Sequence, residues 1–200
     1  TWKVKVDVVN VKAAMSPNTH PALLYNGMVE AIIPYASKGA IWYQGESNAN
    51  QAWQYRELFP LMIKDWRQRW GYQLPFLFVQ LANFMEVGEE PGESTWAELR
   101  EAQTMALDLP KTGMAVIIDI GDANDIHPRN KQDVGHRLAL QARKVAYGEE
   151  GLVYASPMFA GMEKEGDKII INFEHNGEGL VVKDRYGYVN GFAVAGSDRK

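Results

Sequence analysis

Two polar turns of this chain hold residue types that can carry out acid–base or nucleophilic chemistry. The first is Gln44-Gly-Glu-Ser-Asn48, and the second runs from Asp119 to Pro128. Each follows a short apolar run that is typical of a buried strand in a parallel sheet. Because open parallel sheets bind ligands outside the carboxyl ends of their strands, the sequence places candidate functional residues in both turns.

His127, in the second turn, is the best candidate for a general base. Imidazole titrates near neutral pH, so it can take a proton from a hydroxyl group and return it to a leaving alcohol. Pro128 restricts the backbone of the residue before it to extended conformations, which helps to aim the ring. The other histidines are expected to be structural or exposed, and none has the spacing of a known zinc motif; they are His20, His136 and His175.

Ser47 is the candidate nucleophile when the residues alone are considered. The segment Gly45-Glu-Ser-Asn-Ala49 lies between a predicted strand and a predicted helix, as the nucleophile elbow of α/β-hydrolases does. Two features weigh against this assignment. The segment has Ala49 where the elbow pattern G-x-S-x-G has its second glycine, and Glu46 would place a negative charge beside an oxyanion hole that has to stabilise one. The residues therefore allow an α/β-hydrolase-type esterase with Ser47 as nucleophile, and a non-catalytic carbohydrate-binding domain is a second alternative.

Strands and helices that could position these turns alternate along the chain. Apolar runs predict buried strands at 39–44, 76–81 and 114–119. Helical spacing of apolar residues predicts helices at 23–34, 50–70, 95–107 and 133–147. Thr95 with Glu98 predicts a capping box, and Gly71 and Gly148 predict helix ends. This alternation predicts an α/β fold with a parallel sheet in residues 1–150.

The pattern changes after Gly148. Short apolar runs at 168–173, 179–183 and 188–195 are separated by Gly, Asn and Asp, which predicts β-hairpins. Residues 151–200 are therefore predicted to begin a small all-β module. Alternation over 4–11 predicts a further strand at the front of the chain.

Composition narrows the function classes. The net charge is −4 over 200 residues, and the basic stretches are interleaved with acidic and apolar residues, which argues against a nucleic-acid partner. The chain has no cysteine, so thiolate catalysis and cysteine-based zinc sites are excluded. No apolar run approaches the roughly 18 residues of a membrane span.

Four segments resemble the sialate O-acetylesterase family, which belongs with the SGNH-type carbohydrate esterases. They are Leu24-Tyr-Asn-Gly-Met28, Trp42-Tyr-Gln-Gly-Glu-Ser-Asn48, Trp96-Ala-Glu-Leu-Arg-Glu-Ala-Gln103 and Asp125-Ile-His-Pro-Arg-Asn-Lys131. The resemblance implies a three-layer SGNH-type sheet and removal of O-acetyl groups from sialic acid or another acetylated glycan. It further implies a mechanism without a metal or organic cofactor, and an extracytoplasmic location, periplasmic or secreted.

The resemblance also implies roles for individual residues. His127 matches the catalytic base of the family. Gln44 and Gly45, with Asn48 nearby, resemble the block that supplies oxyanion or substrate contacts. The family's nucleophilic serine lies near the front of the catalytic domain, so the nucleophile is expected to precede this chain, and Ser47 is expected not to be it.

The acid that orients the histidine has two candidates. SGNH hydrolases usually place an aspartate three residues before the histidine, but Asn124 occupies that position here. Asp125 lies only two residues before His127. Glu46 is the rival, because related acetyl xylan esterases use a glutamate at the corresponding turn. Asp125 and Glu46 therefore stand as equal candidates.

Overall fold

A computed structural model describes residues 20–88, 91–182 and 184–197. The chain divides into two compact units, one ending at Ala36 and the other beginning at Ser37. In the first unit, a π-helical turn at Tyr25–Val29 continues into α1, Glu30–Ile32, so the helix expected there is confirmed. The strand predicted at 4–11 lies outside the described residues.

The second unit contains a parallel sheet of three strands in the order β1–β2–β3. The strands are β1 (Ala40–Trp42), β2 (Phe76–Val79) and β3 (Thr112–Ala115). Three helices connect or follow them: α2 (Ala52–Trp70), α3 (Thr95–Thr104) and α4 (Lys131–Val145). This order of elements and the parallel pairing confirm the expected α/β class.

The central strand β2 explains why helices cover both faces of the sheet. Its four side chains are all buried, and in a strand they point alternately to opposite faces. Phe76 and Phe78 belong to the apolar cluster that contains residues of α2 and α3. Leu77 and Val79 belong to the cluster that contains residues of α4. A strand that is apolar on both faces needs a helical layer on each side, which gives three layers.

Ser94, rather than Thr95, caps the amino end of α3. Its hydroxyl accepts a hydrogen bond from the backbone N–H of Ala97 at 3.2 Å, while its own backbone is extended. Thr95 is already helical, so the capping box predicted at Thr95 is wrong by one residue. The predicted helix end at Gly71 is confirmed, because this residue is left-handed with φ 75° and its N–H bonds to two carbonyls of the last turn.

The strand predicted at 114–119 is shorter and begins earlier than expected. The backbone N–H of Gln80 donates to the carbonyl of Ala115 at 3.0 Å, where both strands end. Ile117 is fully buried beyond that point although it is in no strand. The apolar residues therefore continue past the end of the strand, with Ile117 buried and Ile118 45% exposed, and the length of β3 matches that of the neighbouring β2.

The described residues after Gly148 form one antiparallel hairpin. Strand β4 (Met158–Glu165) pairs with β5 (Lys168–Glu174), which confirms the strand predicted at 168–173. Strands predicted at 179–183 and 188–195 are wrong, since the described residues of these ranges form no strand. Gly187 and Gly191 have positive φ values of 78° and 91°, which interrupt extended backbone. The domain boundary near residue 150 stays a prediction.

Candidate active site

The turn after β1 has a backbone that only glycine accommodates easily. Gly45 is buried and has a φ of 149°. A Cβ atom there would lie 3.0 Å from the side-chain nitrogen of Gln103 and 3.3 Å from Leu99. The chain then enters a 3₁₀ helix, Glu46–Gln51, that leads into α2. The turn therefore has little freedom, and it fixes Glu46 and Asn48 near the carboxyl end of β1.

Gln103 fastens this turn to the end of β2. Its side chain is buried, and its Nε2 donates to the backbone carbonyl of Gln44 at 3.2 Å. Its Oε1 accepts from the backbone N–H of Leu81 at 2.9 Å. Sequence reasoning assigned Gln103 no role, although a glutamine on the apolar side of a helix is a signal that a buried polar group has partners.

The side chain of Gln44 is engaged within the protein at both ends. Its Oε1 accepts from the hydroxyl of Tyr55 at 3.1 Å, and its Nε2 donates to Oδ1 of Asn48 at 2.6 Å. Burial raises the pKa of Tyr55 to about 12, and the charge of Glu46 adds a smaller increase. Both ends of the Gln44 amide are therefore bonded within the protein, and the side chain links Tyr55 to Asn48. The Nδ2 nitrogen of Asn48 is the end of its amide that does not bond to Gln44.

The turn after β3 is held by the segment that follows β2. The backbone N–H of Gly121 donates to Oδ1 of Asn83 at 2.7 Å. The backbone N–H of Met85 donates to the carbonyl of Ala123 at 3.0 Å. These bonds join the carboxyl ends of β2 and β3, so the turn that carries His127 is anchored to the sheet.

Asp125 contacts His127 despite the unusual spacing. Its Oδ1 lies 3.5 Å from Nδ1 of His127 and accepts from the backbone N–H of the same residue at 2.9 Å. This backbone hydrogen bond, with smaller contributions from the charges of His127 and Arg129, lowers the pKa of Asp125. The imidazole is 87% exposed. A carboxylate therefore lies beside one ring nitrogen of an imidazole that is open to solvent.

The rival acid and the rival nucleophile are placed differently. In the described part of the chain, no hydrogen bond or ion pair joins Glu46 to His127, and none joins Ser47 to His127. Ser47 is exposed. Of the two candidate acids, Asp125 is therefore the one that contacts His127. Glu46 lies close enough to Tyr55 for its charge to raise the pKa of that phenol.

A lysine–tyrosine contact ties the two turns together. The ammonium of Lys131 lies 4.5 Å from the centroid of the Tyr43 ring and 3.3 Å from its hydroxyl. Tyr43 immediately precedes Gln44, and Lys131 is the first residue of α4, directly after the turn of His127. The contact therefore joins the residue just before the first turn to a residue just after the second. No cluster of three or more possible metal ligands is found among residues 20–88, 91–182 and 184–197.

Replacing Gly121 by alanine is expected to lower the free energy of unfolding by about 1–3 kcal/mol. The added Cβ would overlap the backbone carbonyl oxygen of Asn83, which cannot move aside as a flexible side chain would. Gly135→Ala in α4 is the matched control, because its Cβ would meet no atom within 4 Å. This control is expected to stabilise the protein by about 0.5–1 kcal/mol. Urea unfolding measures both, and equal stability of the two variants would contradict the close approach at Gly121.

The fold is of the α/β class, in which ligands bind at the turns that follow the carboxyl ends of parallel strands. The family profile described as "Carbohydrate esterase, sialic acid-specific acetylesterase" matches residues 13–144. The chain belongs to this family of carbohydrate esterases.

Individual relatives agree with this assignment. A sialate O-acetylesterase from Mus musculus is 36% identical over 179 residues, which cover 80% of this chain and 33% of the mouse protein. The sialate O-acetylesterase from Homo sapiens is 34% identical over 178 residues, which cover 80% of this chain and 34% of the human protein. The crystal structure of a carbohydrate acetylesterase from Xanthomonas citri is similar with a TM-score of 0.81 and 51% identity, covering 92% of this chain and 43% of that chain. The chain spans about a third of the length of the curated relatives it matches. In the described part of the chain, no helix is both long enough and apolar enough to span a membrane.

Proposed function

We propose that the full-length protein containing this chain removes O-acetyl groups from sialic acid or another acetylated glycan. The observation that carries the proposal is the contact of His127 with Asp125 at the carboxyl end of the sheet. A histidine oriented by a carboxylate can act as general base and then as general acid toward an alcohol leaving group. Names of the relatives supply the substrate class, because they are carbohydrate and sialate acetylesterases.

The reaction follows the serine hydrolase scheme, with the nucleophilic serine outside this chain. Its hydroxyl oxygen attacks the acetyl carbonyl carbon while His127 takes the hydroxyl proton. The carboxylate of Asp125 accepts a hydrogen bond from the other ring N–H and stabilises the imidazolium. The sugar alcohol leaves with the proton from His127, and an acetyl-serine remains. Water activated by His127 then releases acetate and restores the serine, so no metal or organic cofactor takes part.

The turn after β1 supplies the donors for the oxyanion in this scheme. Gly45 allows the chain to turn closely against Gln103, and Asn48 follows at the start of the helical segment. Preorganised donors stabilise the negative charge that develops on the carbonyl oxygen. Glu46 remains a second candidate for the acid. An extracytoplasmic location, periplasmic or secreted, belongs to the same proposal and rests on the family resemblance.

Acetate release tests the activity, and covalent labelling tests the nucleophile. The full-length protein is expected to release acetate from O-acetylated sialic acid or from an acetylated oligosaccharide. A fluorophosphonate should label one serine that precedes this chain, as mapped by mass spectrometry. The 200-residue chain alone, as control, should remain unlabelled. Labelling at Ser47 would overturn the proposal that the nucleophile lies outside this chain. Sugar binding without turnover would favour a non-catalytic carbohydrate-binding domain instead.

A further inference from the structure

Tyr55 is a buried hydrogen-bond donor that reaches Asn48 only through the side chain of Gln44. It belongs to α2, its side chain is 6% exposed, and its ring packs against that of Phe59 with centroids 5.2 Å apart. A phenol in this position has little access to water, so its O–H needs a protein acceptor. Oε1 of Gln44 is that acceptor, at 3.1 Å. The phenol is protonated and can donate at neutral pH, and burial raises its pKa further, to about 12.

The direction of this one bond fixes the direction of the next. A primary amide has an acceptor end and a donor end, so a Gln44 side chain whose oxygen faces Tyr55 must present its nitrogen to Asn48. The observed bond runs that way, from Nε2 of Gln44 to Oδ1 of Asn48 at 2.6 Å. The oxygen of Asn48 is thereby occupied, and the nitrogen of the same amide faces away from Gln44.

If the Gln44 amide were turned over, Asn48 would present its oxygen, rather than its nitrogen, to the substrate. Asn48 would then have to donate to Gln44 and would direct its oxygen outward. An outward oxygen repels a developing oxyanion, whereas an outward N–H₂ stabilises it. The backbone of Asn48 does not change this choice, because its own N–H is already bonded to the carbonyl of Gly45 at 2.8 Å.

We propose that Tyr55 is a positioning residue that, through Gln44, holds the amide nitrogen of Asn48 toward the reacting carbonyl oxygen. This inference rests on the esterase function proposed above. Asn48 is then the residue that touches the substrate, and Tyr55 acts only through the orientation of two amides. The hydroxyl of Tyr55 therefore raises kcat only when Asn48 is present.

A double-mutant cycle in the full-length protein tests this dependence. Removing an oxyanion donor lowers kcat by about 100-fold or more, so Asn48→Ala is expected to lower kcat for acetate release by about 100-fold. Tyr55→Phe is expected to lower kcat by about tenfold, with KM changed less than about threefold, because transition-state contacts are lost and ground-state binding is kept. The double variant should equal Asn48→Ala alone. A loss near the product of the two single effects, about 1000-fold, would overturn the proposal.

Two further variants separate orientation from general damage to the fold. Tyr72→Phe removes a phenol that donates to the carbonyl of Ser37 at 2.6 Å, away from the proposed site, and should leave kcat unchanged. Gln44→Glu keeps the acceptor for Tyr55 but removes the donor to Asn48, so Asn48 must turn its oxygen outward and kcat should fall as in Asn48→Ala. Gln44→Glu also decides the question if Tyr55→Phe does not fold. Its full activity, or full activity of Tyr55→Phe, would refute the relay. Absence of acetate release by the unsubstituted protein would refute the esterase function and the relay together.

Discussion

His127→Ala in the full-length protein is expected to lower kcat for acetate release by about 10⁴-fold, with little change in KM. The imidazole transfers the proton in both halves of the proposed reaction, and proton transfer by a positioned base contributes about 10²–10⁴-fold in a single step. Loss of the ring also removes the partner of Asp125, which lies 3.5 Å from Nδ1. The effect should therefore appear in kcat rather than in substrate binding.

The exposure of His127 allows a further check of its role as base. The side chain is 87% exposed, so the space that it leaves is open to solvent. Added imidazole should restore part of the activity of His127→Ala. His136→Ala is the control, because His136 is exposed in α4 and is expected to leave kcat unchanged. Activity of His127→Ala within tenfold of the unsubstituted protein would remove His127 from the mechanism.

Asp125→Asn is expected to lower kcat by about 10³-fold, whereas Glu46→Gln should change it less than tenfold. Asparagine keeps an oxygen that can accept the backbone N–H of His127, which Asp125 accepts at 2.9 Å, so the turn should be preserved. What is lost is the negative charge that stabilises the imidazolium. The paired measurement is steady-state kinetics on both variants, with thermal unfolding to verify that both are folded. The opposite ranking would assign the orienting role to Glu46.

The lowered pKa of Asp125 can be tested directly. The backbone N–H of His127 stabilises the carboxylate, so the group stays charged as pH falls below the ordinary aspartate range of about 4. Its contribution is present above that range and is lost only when pH falls through the lowered value. The carboxyl carbon of Asp125, followed by NMR as pH is lowered, should therefore titrate below about 4. Titration at or above the ordinary aspartate value would contradict the hydrogen bond from the backbone of His127.

Local sequence patterns were sufficient to predict most of the helices and strands. The apolar spacing over 50–70 predicts α2, which is observed at Ala52–Trp70, and the apolar run from Phe76 predicts β2. These patterns work because burial of one helix face or of both strand faces repeats along the chain. The predicted strands at 179–183 and 188–195 failed because short apolar runs also occur in irregular, glycine-interrupted chain.

Element ends depended on neighbours that the sequence does not reveal. Strand β3 ends at Ala115 since β2 offers no strand partner beyond Val79, although the apolar run continues to Ile118. The cap of α3 moved from Thr95 to Ser94 because the extended backbone of Ser94 aims its hydroxyl at the helix. Both kinds of residue are good caps, and only backbone geometry distinguishes them.

The sequence by itself determined the chemical groups of the candidate site, because a histidine, two acids and an amide follow the apolar runs that become strands. Only the tertiary structure decided how these groups are oriented. Gln44 receives its hydrogen bonds from Tyr55, 11 residues along the chain, and from Gln103, 59 residues along. Such partners come from separate helices that packing brings to one turn, and the pattern of neighbouring residues does not specify which end of an amide will face the site.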